Sequence, residues 1–242
     1  MHKINILLPI TKDINQKNLR QGDTLLHVAC KWAKKDEILD LLLKRTDLDV
    51  NVQNNEELTP LHILAFGFQI KLSVVLGAHV DHKNEKEFTA LHYAANNGFT
   101  KTMKVLIKWG ANLNVKDDYG MTPLMRSSKW GFVDTCKVLL EAGADVNYAI
   151  PTGQTALQMS CTNDRYTEAT KLLIAYDANV NHPGCYSSAL FACAKTGNVE
   201  CGRVLIEAGA NVTGKIRCGK TVLDFAREYN HPKFVELVKE YC

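Results

Sequence analysis

The sequence predicts an all-α-dominated repeat solenoid, and this prediction depends on one recurring motif and its spacing. Each unit begins with a hydroxyl residue, then a small or apolar residue, then leucine. The hydroxyl residues are Thr24, Thr59, Thr89, Thr122, Thr155, Ser188 and Thr221. The steps between them are 35, 30, 33, 33, 33 and 33 residues. A period close to 33 is typical of a stacked array of helical repeats.

Composition narrows the possible classes of protein. The chain has 242 residues, a net charge of +3 and 46% hydrophobic residues, which is ordinary for a folded globular protein. So small a charge gives no electrostatic argument for nucleic acid or an anionic membrane as partner. The apolar run at residues 6–10 is too short to span a membrane and leads into Lys12 and Asp13 rather than a cleavage site. We therefore expect a cytoplasmic or nuclear protein whose eight cysteines are reduced.

The most regular unit spans residues 119–151. Thr122 stands where a helix N-cap belongs, and Pro123 follows at the first helical position, where its missing N–H costs nothing. Gly131 ends this short helix, because the backbone there needs a positive φ. A second helix follows, with inward-facing apolar residues at Val133, Cys136, Val138, Leu139 and Leu140. A closing motif, Gly-Ala-Asp-Val-Asn at residues 143–147, ends the unit.

The closing motif recurs in register with the opening one. Its other copies lie at residues 49–51, 77–81, 110–114, 178–181 and 209–213. With both ends of the unit matched, and with Thr-Pro-Leu-His at residues 59–62, the chain resembles the ankyrin-repeat family over residues 21–242. The resemblance implies a helix–loop–helix unit with a projecting β-hairpin in each repeat. It also implies that the repeats stack into a curved slab with a concave groove on the hairpin side.

These motifs divide the chain into a cap and seven repeats. We assign an N-terminal half-repeat or cap at 1–20 and repeats at 21–55, 56–85, 86–118, 119–151, 152–184, 185–217 and 218–242, the last also serving as the C-terminal cap. Repeat two is short, so its second helix is expected to be stunted. Repeat five replaces the glycine between its helices with residues 162–166, and Asp177 stands where a glycine is expected. Asp13-Ile14-Asn15 copies the closing motif, and caps at both ends predict a monomer.

The histidines and cysteines raise the question of a metal site. His27, His62 and His92 occupy one position in successive repeats, about 10 Å apart if the helices stack normally, whereas zinc holds its ligands within about 2.1 Å. We therefore expect each imidazole to hydrogen-bond across the turns. The cysteines at 30, 136, 161, 193 and 201 read as small core residues, and Cys185 and Cys218 lie too far apart for a disulfide. There is no C-x₂-C pair, so we expect no metal and no cofactor.

Catalytic signatures are missing from the sequence. It contains no phosphate-binding loop, dinucleotide fingerprint, nucleophile elbow or zinc-protease helix motif. A stack of similar layers offers no obvious point at which a nucleophile, a base and oxyanion donors would converge. The expectation is a protein that is not an enzyme.

The residues that vary at groove-facing positions point instead to a protein partner. The predicted contact residues are Trp32, Phe88, Asn96, Asn97, Tyr119, Met121, Lys129, Trp130 and Gln154. Exposed aromatic and methionine side chains gathered on one face are typical of a binding hot spot. In the alternative interpretation, some of these rings pack between neighbouring hairpins and never meet a partner.

The resemblance leaves several roles open. The leading hypothesis is a non-catalytic protein-binding module. An adaptor or assembly chaperone that delivers a bound protein to a ubiquitin ligase or proteasome is the main alternative, beside a microbial effector acting in a host cell and a structural spacer. The resemblance also marks Asn147 as a candidate for hydroxylation by an asparaginyl hydroxylase. We favour the competing interpretation, in which Asn147 holds the turn through side-chain hydrogen bonds.

Overall fold

The computed structural model describes residues 13–32, 36–66, 77–182, 188–216 and 219–241. The chain divides into two compact units, Met1–Asn112 and Leu113–Cys242. In each unit the first helices of successive repeats pack on one another and, where both helices of a repeat are described, on the second helix of the same repeat. No helix in the described ranges is long and apolar enough to cross a membrane.

The first unit contains helices from the first three repeats. They are α1 (Leu25–Lys31), α2 (Asp36–Leu42), α3 (Pro60–Ala65), α4 (Ala90–Asn96) and α5 (Thr100–Lys108). The first helices stack on one another, α1 on α3 and α3 on α4, while α2 and α5 pack behind them. Buried leucines from both layers, including Leu26, Leu39 and Leu64, form the core between the helices.

The second unit repeats this plan four times. Its helices are α6 (Pro123–Lys129), α7 (Val133–Glu141), α8 (Ala156–Ser160), α9 (Thr167–Ala175), α10 (Ala189–Thr196), α11 (Val199–Glu207), α12 (Val222–Glu228) and α13 (Pro232–Glu240). First helices again stack on first helices and second helices on second helices. In repeat five a short 3₁₀ helix, Asp164–Tyr166, separates the two helices, at the place where the sequence departs from the repeat pattern.

The opening motif begins most of the first helices through a reciprocal cap; repeat four keeps only the bond from Met125 N–H to the Thr122 hydroxyl, and Ser188 in repeat six makes no side-chain cap. In α4 the Thr89 hydroxyl accepts the His92 backbone N–H, and the Thr89 N–H donates to His92 Nδ1. The same exchange is made by Thr155 with Gln158. Each exchange satisfies two backbone N–H groups at the start of a buried helix, which would otherwise have no hydrogen-bond partner.

The segments between repeats are tight turns rather than extended β-hairpins. Their residues close five-residue loops, such as Asp117 N–H to Met121 O at 3.1 Å and Ile150 N–H to Gln154 O at 3.0 Å. Only isolated β-bridges occur in the described part of the chain, between Ala149 and Thr155 and between Lys215 and Thr221. The turns are too short for a ladder of strand hydrogen bonds to develop.

Four asparagines at closing-motif positions each tie their turn to the next one along the chain. The Asn147 amide donates to the Asp177 carbonyl at 3.1 Å, and its side-chain oxygen accepts the Asn179 N–H at 2.7 Å. Asn51 and Asn181 make the same pair of bonds. Asn15 does so too, as its match to the closing motif predicts. We refer to these residues as the asparagine ladder.

Two of the predicted departures from the repeat pattern fall on residues that the structure describes, and two fall outside them. Asp177 adopts a φ of 62°, the left-handed conformation for which the motif normally supplies glycine. The 3₁₀ helix replaces the glycine between the helices of repeat five. The second helix of repeat two and the apolar stretch of the N-terminal half-repeat lie outside the described residues, as do Cys185 and Cys218. The repeat boundaries therefore stay predictions.

Candidate protein-binding surface

Exposed aromatic side chains recur where the first helix of a repeat ends. Trp32, Phe66, Trp130 and Tyr229 are the C-cap residues of α1, α3, α6 and α12, and between 42% and 75% of each side chain is exposed. Trp32 and Trp130 were predicted as contact residues, whereas Phe66 and Tyr229 were not. Phe66 and Tyr229 could have been predicted from their position, because all four residues lie seven or eight positions after a capping threonine.

Tyr119 is the most exposed aromatic residue of repeat four and lies in the turn before α6. About two thirds of its surface is accessible, at 66%. The Arg126 guanidinium lies 5.3 Å from the centre of its ring, within cation–π range. Arg126 in turn pairs with the buried Asp117 carboxylate, with Nε at 2.7 Å and Nη2 at 2.5 Å. Asp117 also accepts the Tyr119 N–H at 2.9 Å, so a buried ion pair holds both the ring and the backbone of this residue.

Met121 corrects one of the predicted contacts. Its side chain is only 6% exposed, and its N–H donates to the Asp117 carboxylate. It directly precedes the capping Thr122, the position that Leu58 fills in repeat two, where it is also 6% exposed. This position faces the core, so Met121 stabilises the turn and offers no surface to a partner.

The other predicted residues of repeats four and five are accessible. Lys129 lies in the last turn of α6, next to Trp130, and Gln154 lies in the turn before α8; all three are exposed. Tyr119 lies in the turn that precedes α6 and Trp130 at its C-terminal end, and the seven residues of α6 span about 10 Å at 1.5 Å per residue. We call Tyr119, Lys129, Trp130 and Gln154 the repeat-four patch.

In the first unit the predicted contacts of repeat three mainly support the fold. Phe88 is half-buried, and its ring centre lies 5.4 Å from that of His92 and 5.2 Å from that of Tyr93. The Asn97 amide donates to the Tyr93 carbonyl at 2.8 Å, and Asn96 beside it is half-buried. The alternative interpretation, that some rings pack between turns, therefore describes Phe88 well.

A cleft opens beside Phe66, the aromatic cap residue of repeat two. It has a volume of about 350 Å³ and is lined by Cys30, Lys31, Asn54, Glu56, Leu58, Ile63 and Phe66. At its edge the Lys31 ammonium pairs with Asp23 at 2.5 Å. Burial acts to raise the pKa of Asp23, but hydrogen bonds from Lys31 and Asn54 outweigh it and hold that pKa below its ordinary value. The carboxylate therefore stays ionised and keeps the lysine in place.

The capping histidines use both ring nitrogens structurally. His62 Nδ1 accepts the Thr59 N–H at 3.1 Å, and Nε2 lies 3.0 Å from the Phe88 carbonyl of the next turn. His27 makes the equivalent contacts with Thr24 and with the Leu58 carbonyl. Burial lowers the pKa of His62 to about 4. The prediction that the imidazoles bond across the turns is confirmed for these two residues.

Three of the buried cysteines converge, although their sequence spacing gave no sign of it. The sulfur atoms of Cys161, Cys193 and Cys201 all lie within 4.8 Å of one another. All three are buried, as predicted for small core residues, but their convergence was not predicted. They come from two successive repeats, so only the stacking brings them together.

Comparison with known proteins identifies the family. Residues 67–150 and 157–241 match the family model described as "Ankyrin repeats (3 copies)", and residues 21–55 match "Ankyrin repeat". The chain belongs to the ankyrin-repeat family. Its ankyrin repeats are a fold that in general serves protein–protein interaction and is typically non-catalytic.

Solved ankyrin domains match nearly the whole chain. The crystal structure of the human ASB11 ankyrin repeat domain has a TM-score of 0.80 at 24% identity and covers 90% of this chain and 97% of that one. The ankyrin repeat domain of Bcl-3 has a TM-score of 0.78 at 25% identity and covers 91% and 100%. These neighbours confirm the repeat solenoid.

Relatives found by sequence match over a shorter stretch. "Ankyrin repeat and KH domain-containing protein mask-1" of Caenorhabditis elegans is 40% identical over 75 residues, which is 30% of this chain and 3% of that protein. The corresponding protein CBG24701 of Caenorhabditis briggsae is 37% identical over 86 residues, 34% of this chain and again 3% of the relative. The chain thus matches a small part of these relatives' length.

Proposed function

We propose that this ankyrin-repeat chain is a non-catalytic module that binds a partner protein along its concave groove, with the repeat-four patch as its centre. The observation that carries the proposal is the exposure of Tyr119 and Trp130 on the turn and first helix of one repeat. Aromatic residues of this kind are enriched among the few residues that supply most of the binding energy at interfaces.

The fixed position of Tyr119 supports its role as an anchor. The buried Asp117–Arg126 pair already holds the ring in the unbound chain. An anchor that is ordered beforehand loses less conformational entropy when a partner covers it. Lys129 and Gln154, exposed beside the aromatic residues, would then form the polar rim that surrounds such an anchor.

The size of the surface is adequate for a stable complex. A specific interface buries about 1,200–2,000 Å² in total, or about 800 Å² on each partner. We propose that turns and first-helix ends of neighbouring repeats supply this area around the repeat-four patch. The exposed aromatic cap residue Tyr229 lies in the same unit and is a further candidate contact.

The proposal is tested by comparing partner capture by the wild type and by the Tyr119→Ala/Trp130→Ala double variant. Proteins retained from a lysate are identified, and the affinity of the principal one is then measured with purified components. Loss of two anchors should weaken binding by at least about 2 kcal/mol, roughly 30-fold in Kd. Circular dichroism verifies that the double variant keeps its helical structure.

Tyr241→Ala is the matched control. Tyr241 is an aromatic residue of similar exposure, 43%, but it follows the last helix and is not part of the repeat-four patch. The control should bind like the wild type. Equal affinity of the folded double variant and the wild type would rule out the repeat-four patch as the binding site.

The alternative role as an adaptor or assembly chaperone makes a separate prediction. In that case the captured protein is retained together with subunits of a ubiquitin ligase or proteasome.

We further propose a cytoplasmic or nuclear setting, which the free cysteines at 30, 136, 161, 193 and 201 support because thiols stay reduced there.

A further inference from the structure

Three thiols meet in the core of the second unit. Cys161 ends α8, Cys193 lies in α10 and Cys201 lies in α11. Each residue is 0% exposed, and the three sulfur atoms lie within 4.8 Å of one another. None of the three forms a disulfide. We call this group the thiol cluster.

Packing alone does not require cysteine at these places. Counted from the capping hydroxyl residue, the same three positions between repeats two and three hold Ala65, Ala94 and Thr102. Between repeats four and five, allowing for the one-residue insertion, they hold Ser128, Ser160 and Ala169. All six are buried. Small residues without sulfur therefore fill these core positions elsewhere in the same chain.

Polar groups surround the thiol cluster on one side. The Thr170 hydroxyl lies 3.0 Å from Cys201 Sγ and 2.8 Å from the Ser160 hydroxyl. Cys161 Sγ donates to the Leu157 carbonyl at 3.0 Å. The cluster thus has an oxygen that can donate a hydrogen bond to a thiolate, which a purely apolar core would lack.

We propose that Cys161, Cys193 and Cys201 form a buried thiolate site for a soft d¹⁰ metal ion, Cu⁺ or Zn²⁺. Thiolate ligands select these ions over Mg²⁺, Ca²⁺ or Mn²⁺. At a metal–sulfur distance of about 2.3 Å, sulfurs around one ion lie about 4 Å apart, which the thiol cluster can accommodate. Each cysteine that ligates the ion releases its proton to solvent.

The donor set distinguishes the two ions. Among the described residues only three cysteines, without an imidazole or carboxylate, make up the group. A structural zinc site takes four ligands, so Zn²⁺ would need the Thr170 hydroxyl or another group beside the three sulfurs. Cu⁺ is satisfied by three thiolates. The set of ligands therefore favours Cu⁺, and a direct comparison of the two ions tests this preference.

Burial determines how the site has to be loaded. All three sulfurs are closed to solvent, so the ion enters while the repeats fold or when the core opens locally. The reduced chain is therefore unfolded in denaturant and refolded without oxygen in the presence of Zn²⁺ or Cu⁺. After desalting, the metal retained per chain is measured by mass spectrometry, together with the shift in Tm and, for copper, thiolate-to-metal absorption.

The chain itself suggests substitutions that should preserve the fold. Cys161→Ala and Cys193→Ala each introduce the residue that Ala65 and Ala94 provide at the same positions of an earlier interface. Cys136→Ala is the matched control, since this cysteine is equally buried but lies outside the thiol cluster. We expect the wild type and the control to retain about one ion per chain with a raised Tm, and the two cluster variants to lose both effects.

The outcomes separate clearly. Retention of Cu⁺ alone, or of Zn²⁺ alone, identifies the ion that the site takes. Absence of retained metal in the wild type after refolding with either ion would overturn the proposal. So would metal retention that is unchanged in Cys161→Ala and Cys193→Ala, because the metal would then reside on other cysteines.

Discussion

His62 provides a test of how the capping motif contributes to stability. Its imidazole is 1% exposed and holds the Thr59 N–H on one side and the Phe88 carbonyl on the other. Accepting from Thr59 at Nδ1 while donating from Nε2 requires the neutral ring. Protonation would remove the acceptor and place a charge in the core. His62→Gln is the informative substitution, because Gln158 makes the same cap with Thr155 in repeat five.

The size of this pH effect on stability follows from the linkage between protonation and folding. Burial lowers the pKa of His62 from 6.5 to about 4 in the folded chain. Since the folded chain has the lower pKa, the unfolded chain binds more protons between pH 4 and pH 6.5. The contribution of the neutral His62 to the free energy of unfolding is therefore fully present above pH 6.5 and is lost as the pH falls toward 4. At about 1.4 kcal/mol per pKa unit, the full loss is about 3 kcal/mol, and at pH 5 it is about 2 kcal/mol.

The assay is urea unfolding followed by circular dichroism, at pH 7.5 and at pH 5. His62→Gln should be less stable than the wild type at pH 7.5 by about 1 kcal/mol, because the bond to the Phe88 carbonyl is lost. Between the two pH values, however, it should lose about 2 kcal/mol less than the wild type does. Other titrating groups are common to both proteins and cancel. Parallel losses in the two proteins would refute the reasoning.

Three further predictions concern glycine positions and assembly. Gly131→Ala should lower the free energy of unfolding by about 2 kcal/mol more than Gly143→Ala does. Both glycines have positive φ, but a Cβ at Gly131 would lie 2.1 Å from the Tyr166 ring, whereas a Cβ at Gly143 would have nothing within 4 Å. Equal Tm values for the two variants would contradict this. Asp177→Gly should stabilise by about 0.5–1 kcal/mol, because Asp177 has a φ of 62°, and denaturant midpoints measure the gain; an unchanged or lower midpoint would count against it. Sedimentation should show a monomer, since the exposed Glu236, Lys239 and Glu240 give α13 a charged outer face; a concentration-dependent dimer would be inconsistent with this.

The sequence predicted best what local signals control. Thr89 and Thr155 cap helices where the motif places them, because an N-cap depends on a residue and its neighbours three positions on. The paired bonds of Asn147 and the glycine-like conformation of Asp177 also followed from motif position. These features repeat at each period, so one unit informs the others.

Exposure and long-range convergence were harder to predict. Met121 is buried because its turn folds onto the core, which the sequence period alone does not reveal. Phe66 and Tyr229 were missed although they share the helix-end position of Trp130. The thiol cluster depends on how one repeat is rotated against the next. No sequence spacing between Cys161 and Cys201 encodes that rotation.

The asparagine ladder explains how repeats of unequal length coexist in one stack. The side-chain oxygen of Asn15 receives an N–H from 34 residues further along, whereas for Asn51 the interval is 28 residues. For Asn147 and Asn181 it is 32 and 30. The bond is the same in each case, so these neighbouring turns are joined in the same way although the number of residues between the bonded groups varies from 28 to 34. Within each unit these bonds therefore fix how one turn is joined to the next, and the rest of a repeat can gain or lose residues without breaking them.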